Sequence, residues 1–224
     1  RQFDFNALLI YTPGKRTIGY GVERRTINDN YSTLLLNYTK GTEGVFGSDF
    51  DYSKVQFAYS QPWQIGGFGR LYSTLEVGKT FGAVPLGLLN VIPGNQTFFS
   101  NYGTFPNLDF YEFVTDTYVA LHLQHNFNGR LFARIPLLRK LNLREVVGLR
   151  GVWGTLSDEN IALSAPAAIN TPLQAPDDKV YYEYSFGIGN IFKILRIDFN
   201  FRGNYLDAPD ARPFSITGTF GFDF

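Results

Sequence analysis

The residues best suited to chemistry are few. His122 and His125 form an H-x-x-H pair, a spacing that could present two imidazoles to a metal ion. In an extended strand, however, residues three apart have opposite parity and point to different faces, so no metal ligand is assigned. Gly187-Ile188-Gly189 lacks the third glycine and the strand-then-helix setting of a dinucleotide loop, and reads as a hairpin turn. Gly19 and Gly21 read as wall glycines of a curved sheet rather than a phosphate cradle. The acidic pairs Asp158/Glu159 and Asp177/Asp178 lie in expected loops with no histidine beside them, so they read as solvated charges. No catalytic, cofactor-binding or metal-binding residue is assigned, and the chain is not expected to be an enzyme.

The elements that hold these residues must therefore carry the argument. The 224 residues form one unit with no linker-like stretch, and 20 basic side chains balance 20 acidic ones, which leaves no electrostatic footprint for nucleic acid. Cysteine is absent, excluding a disulfide framework. The chain opens on Arg1 and contains no methionine, as expected of a processed product or a piece of a longer protein. Its unusual feature is an abundance of aromatics, 22 phenylalanines and 14 tyrosines, with 23 glycines. No apolar run approaches the roughly 18 residues of a membrane helix.

Periodicity is more informative. From Leu195 to Tyr205, Leu195, Ile197, Phe199 and Phe201 alternate with Arg196, Asp198, Asn200 and Arg202, the period of a strand. Phe214 to Phe224 repeats it, with Phe220, Phe222 and Phe224 on one parity, as do Val180 to Ile188 and Arg1 to Tyr11. Weaker alternation marks Thr17 to Ile27, Tyr31 to Lys40, Lys54 to Ser60, Arg70 to Gly78, Tyr118 to Phe127 and Leu143 to Thr155. The sum is about ten strands, most near the roughly 9 to 11 residues that cross a bilayer. A transmembrane antiparallel β-barrel with both termini periplasmic is the expected fold.

In such barrels periplasmic turns are short and outer loops long. With Phe224 periplasmic, the turns at Asn28 to Asn30, Gly66 to Gly69 and Gly189 to Asn190 fall on that side. The long connections Gly82 to Phe110 and Ser157 to Lys179 fall outside as exposed loops. Gly129 to Asn142 is a long exception on the periplasmic side. Its mixture of Leu131, Ile135 and Leu137 with Arg130, Arg134, Arg139 and Lys140 suits an amphipathic segment on the membrane interface, or a helix packed under the barrel.

Alternation does not say which face points inward. Packing the phenylalanines and tyrosines of ten strands into a narrow lumen is a poor fit to volume, whereas charged and amide side chains suit a hydrated interior. The apolar parity is therefore expected outward. The opposite parity (Asp4, Glu23, Lys54, Arg70, Glu76, Arg144, Arg150, Glu183, Arg196, Asp198, Arg202) is mixed in sign and suits a plugged or ion-paired lumen. Tyr11, Tyr31, Trp63, Tyr111, Trp153 and Tyr205 are expected in aromatic girdles.

The runs His125-Asn126-Phe127-Asn128-Gly129, Ile135-Pro136-Leu137-Leu138-Arg139-Lys140, Leu143-Arg144-Glu145-Val146-Val147-Gly148 and Glu183 to Lys193 resemble the C-terminal barrel of a Gram-negative outer-membrane family of uncharacterised function. In that family a carboxypeptidase-regulatory-like β-sandwich precedes the barrel, which is distantly similar to BamA-like surface antigens. The resemblance covers the last half of the chain through these motifs and the first half through strand pattern. The ending Phe220-Gly221-Phe222-Asp223-Phe224 resembles the aromatic assembly signal of outer-membrane barrels. No Arg-Gly-Phe-type lumen motif is found, so insertase activity is carried over to no residue. The resemblance implies a structural or transport-related outer-membrane component, with the bilayer and other envelope proteins as partners. The alternatives are a BamA-like assembly or translocation factor, a barrel enzyme and a soluble lipid-binding barrel.

Overall fold

A computed structural model describes residues 1–164, 173–208 and 211–221. Nine strands form one sheet: β1 (Asp4–Tyr11), β2 (Thr33–Gly41), β3 (Tyr52–Gln64), β4 (Arg70–Phe81), β5 (Thr117–Asn126), β6 (Arg144–Thr155), β7 (Tyr181–Ile191), β8 (Leu195–Arg202) and β9 (Phe214–Phe220). Each pairs antiparallel with the next in sequence, giving an up-and-down meander.

Nine of the expected strands thus join the sheet, and the tenth does not. Thr17 to Ile27 forms only a two-residue hairpin, Thr17–Ile18 with Arg25–Thr26. Gly19 and Gly21 lie at its tip with positive φ, so they serve the turn rather than a sheet wall. Residues 12–32 are accordingly one long connection, not a tight turn at Asn28 to Asn30. The turn expected at Gly189 to Asn190 lies at residues 192–194 instead, whereas Gly66–Phe68 makes the compact turn expected there.

Among the described residues β1 and β9 do not pair, so the sheet is open rather than a closed barrel. An odd number of antiparallel strands also places the two ends of the sheet oppositely: Phe220 shares an end with Tyr11, and Asp4 lies at the other. Both termini therefore do not share one side, contrary to the expectation from ten strands. Phe222, Asp223 and Phe224 of the aromatic ending lie outside the described residues, as do residues 165–172 of the Ser157 to Lys179 connection.

The burial of the two faces is inverted relative to a soluble sheet. Along β8, Arg196, Asp198, Asn200 and Arg202 are buried, while Leu195, Ile197, Phe199 and Phe201 are only partly covered. Along β7, Glu183 is 0% exposed and Tyr184 is 49% exposed. Ile216 in β9 is 51% exposed beside buried Thr217. On the bare face, Tyr184 stacks on its cross-strand partner Phe201 at 5.2 Å.

From β4 to β9 the polar face is covered by residues 82–116. Gly82 to Phe110 reads in the sequence as an exposed outer loop, yet Val84, Leu89, Ile92, Phe105 and Leu108 are buried, as are Phe113 and Val114 just beyond it. The segment carries its own apolar core and pairs with itself at Asn90–Val91 and Val114–Thr115. The glycine, proline and asparagine that suggested a solvated loop instead let the backbone turn between these anchors. One segment reaches β4, β5, β7, β8 and β9 on a single face, so the sheet curls around it.

Candidate functional site

The interior network is built from alternate residues of β5 to β9 and from the inward segment. Its anchor is Arg202, whose guanidinium donates to Glu112 through Nη2 at 2.6 Å and Nη1 at 3.1 Å, and to the carbonyls of Asn204, Tyr205 and Asn107 at 3.0, 2.6 and 3.3 Å. All five donors of the guanidinium fork are engaged, and the charge lies over the Tyr181 ring at 5.0 Å. Tyr181 donates its hydroxyl to Glu183 at 2.7 Å, and the backbone N–H of Asn107 donates to the same oxygen at 2.9 Å. The inward segment is thereby held to β7 and β8 by one buried acid and one buried base.

Nearer the other end, Arg196 donates to Asp198 on its own strand at 2.8 Å and to Gln124 of β5 at 3.1 Å. This pair extends over Gly187, where a Cβ would collide with the Asp198 carboxylate. Ser100 donates to Asp198 at 3.2 Å and to Thr217 at 2.8 Å. The backbone of residues 98–100 adds to β9 through Gly218 N–H to the Phe98 carbonyl and Ser100 N–H to the Gly218 carbonyl, both at 2.8 Å. The inward segment therefore occupies part of the free edge of the last strand.

Between these anchors lies a cavity of about 180 Å³ lined by Tyr72, Ser100, Tyr102, His122, Arg150, Arg196 and Asp198. Among the described residues His122 Nδ1, Arg150 Nη1 and Glu183 Oε2 are buried without a hydrogen-bond partner, so bound water or a polar solute would be favoured around them. No hydrogen bond among the described residues joins His122 to a hydroxyl or carboxylate; the ring packs on Phe105 instead.

His122 and His125 fall on opposite faces of the strand, as period two requires. His122 packs on Phe105 at 5.0 Å between ring centroids, and His125 Nε2 lies 2.9 Å from the Phe68 carbonyl. Gly187 and Gly189 lie within β7 rather than in a turn. Glu159 and Asp158 open α2 (Asp158–Ser164), and Asp177 receives the Trp153 indole N–H on its carbonyl at 3.1 Å. Of the expected girdle aromatics, Tyr11, Trp63 and Trp153 are exposed on strands, whereas Tyr205 packs on Phe113 and Tyr181 against the inward segment. Glu23 sits in the connection 12–32 rather than on a wall. Among the described residues ion pairs form within β8 and with loops rather than from strand to strand. Glu112, Asn107 and Ser100 were missed because nothing in their local pattern distinguishes them from exposed loop residues.

The two ends of the sheet differ in charge. The connections 12–32, 65–69, 127–143 and 192–194 carry nine cations (Lys15, Arg16, Arg24, Arg25, Arg130, Arg134, Arg139, Lys140, Lys193) against Glu23 and Asp29. Asp29 is held below its ordinary value by the hydrogen bond that Arg70 donates at 2.6 Å. The described connections at the opposite end carry eleven carboxylates (Glu43, Asp49, Asp51, Asp109, Glu112, Asp116, Asp158, Glu159, Asp177, Asp178, Asp207) against Lys179 and Arg212. The amphipathic stretch expected over Gly129 to Asn142 belongs to the basic end. It forms a 3-10 turn (Phe132–Arg134) and α1 (Pro136–Leu141), with Phe132 against Phe186 of the bare face at 6.4 Å.

No curated protein matches the chain. A model for the C-terminal domain of a family of unknown function matches residues 1–158, taking in the runs from His125 to Gly148 and leaving out Glu183 to Lys193. The match also extends through the first half, where strand pattern alone suggested kinship. It describes this domain and lends no support to a regulatory-like sandwich or a BamA-like relationship. Because the match spans well over half of its length, the chain belongs to the DUF5686 family, through that family's C-terminal domain.

Proposed function

We propose that the chain forms the wall and plug of an outer-membrane β-barrel with a structural or transport-related role. The observation that carries this reading is the inverted burial: the side chains least tolerant of water form the bare face, and the ionised ones are enclosed. Exposing so many large apolar side chains to water is unfavourable by about 25 cal/mol per Å², whereas hydrocarbon reverses the sign of that cost. Strands of 7 to 13 residues bracket the span of a tilted membrane strand. The inward segment makes the lumen a small chamber, so transport would require this segment to move or would be limited to small polar solutes. Flotation with lipid vesicles after refolding tests the reading; a monodisperse protein that stays in the aqueous fraction without detergent would sink it.

A second reading, an assembly or translocation factor with a weak seam, draws on the edges. β1 is exposed on both faces, with Leu8 and Ile10 on one and Leu9 and Tyr11 on the other, and among the described residues its outer edge is unpaired. Engineered cysteines in β1 and β9 of this cysteine-free chain discriminate: efficient cross-linking within one chain supports a closed wall. Cross-linking only to another polypeptide supports the seam.

A further inference from the structure

The basic end of the sheet carries a cleft of about 630 Å³ between the 127–143 connection and the β7–β8 turn. Arg139, Arg144 and Lys193 line it, together with Asn128, Asn142 and Asn190, and among the described residues no carboxylate does. Among the described residues none of the three cations has an ion-pair partner. The two connections are tied together where Asn190 donates its side-chain amide to the Asn142 carbonyl at 2.7 Å, so the cations belong to one built wall.

Backbone conformation points to this place independently. Phe192 and Lys193 form the tip of the turn with φ of 51° and 69°, left-handed positions that favour glycine or asparagine. Holding a phenylalanine and a lysine there is unfavourable, and strain of this kind tends to persist where side chains are needed in place. What the turn achieves is an aromatic ring 89% exposed beside a cation that faces the cleft. On the other side, Leu137 of α1 is 73% exposed. Large apolar groups therefore flank a concentrated positive site, an arrangement complementary to a molecule with a negative head and greasy tails.

We propose that this cleft binds the phosphate head of an anionic phospholipid, with Arg139, Arg144 and Lys193 on the phosphate and acyl chains running past Phe192 and Leu137. The inference rests on the bilayer reading above and names a lipid for one rim of it. Arginine suits the role because its planar fork matches two phosphate oxygens, while Lys193 supplies a point charge.

The test uses the full chain in detergent micelles, incubated with phosphatidylglycerol or phosphatidylcholine and examined by native mass spectrometry. Phosphatidylglycerol should be retained in preference, with affinity falling roughly fivefold for each cation removed by Arg139→Gln, Arg144→Gln or Lys193→Gln, and about a hundredfold for the triple variant. Arg139→Lys, which keeps the charge and loses the fork, should bind less tightly than the parent and more tightly than Arg139→Gln, and Lys79→Gln at the opposite end should leave binding unchanged. Equal retention of both lipids, or retention unaffected in a triple variant with native circular dichroism, overturns the proposal. Full displacement by millimolar inorganic phosphate also overturns it, assigning the cleft to a soluble anion. If the bilayer reading itself is wrong, the unmodified protein fails to float with vesicles; if only this inference is wrong, it floats without lipid preference.

Discussion

Arg202 of β8 and Glu112 of the inward segment meet in a two-pronged ion pair, at 2.6 and 3.1 Å, with the arginine side chain 0% and the glutamate 8% exposed. Ninety residues apart in sequence, they join the sheet to the segment that packs on its polar face. A pair this deep is costly to break by halves, because the remaining charge is left buried and alone.

Removing one partner, as in Arg202→Met or Glu112→Leu, should therefore destabilise the protein by about 3–5 kcal/mol. The double variant should recover much of that loss. Urea unfolding in detergent, followed by tryptophan fluorescence, measures the cycle; additive losses would show that the two side chains act separately.

Phe105 anchors the same segment, packing on Tyr181 at 5.7 Å and on His122 at 5.0 Å. Phe105→Ala should cost about 3–5 kcal/mol through the cavity it leaves. In planar bilayers, on the barrel reading proposed above, this variant should also show larger or more frequent conductance steps than the parent, since the segment it loosens would fill the lumen. Unchanged conductance in a correctly folded variant would mean that the plug is held by its other contacts.

Leu149 lies mid-strand on the bare face and is 46% exposed. Against water an arginine there would be nearly neutral. Against hydrocarbon, Leu149→Arg should cost about 2–4 kcal/mol, measured as folding into vesicles of defined thickness. A neutral result would argue that this face meets water.

Asp116 stands where the segment rejoins β5. Burial alone would raise its carboxyl, but it is held below its ordinary value of 3.8 by the Ser157 N–H at 2.7 Å, the Ser157 and Thr117 side chains and the Asn160 amide at 3.1 Å. A carboxylate lowered on folding stabilises the protein above its unfolded value and loses that contribution as pH falls through the folded one. Asp116→Asn should thus cost about 1.5–3 kcal/mol at neutral pH, and its stability should fall less than the parent's as pH drops below 3.8. Parallel pH profiles would show that Asp116 is not the titrating group.

Nine strands, their parity and the outward direction of the phenylalanines were legible in the amino-acid sequence, because each rests on a period-two pattern that local backbone geometry imposes and on side-chain volume. The opposite faces of His122 and His125 follow from the same rule. Thr17 to Ile27 misled because Ile18, Tyr20 and Val22 alternate over too few residues, while the glycines between them take positive φ and break the strand. One miscounted strand then moved a terminus to the other end, since direction in a meander depends on whether the count is odd or even.

What only the tertiary structure decided is the fate of residues 82–116. Their composition is that of a solvated loop, and the residues that bring them inside, Glu112, Asn107 and Ser100, have partners 76 to 117 positions away. Local pattern constrains neighbours along a strand, whereas a buried ion pair depends on which distant side chains the curled sheet brings within 3 Å. The cleft of Arg139, Arg144 and Lys193 is of the same kind: three cations scattered over a turn and a connection become one site because the sheet places those two connections side by side.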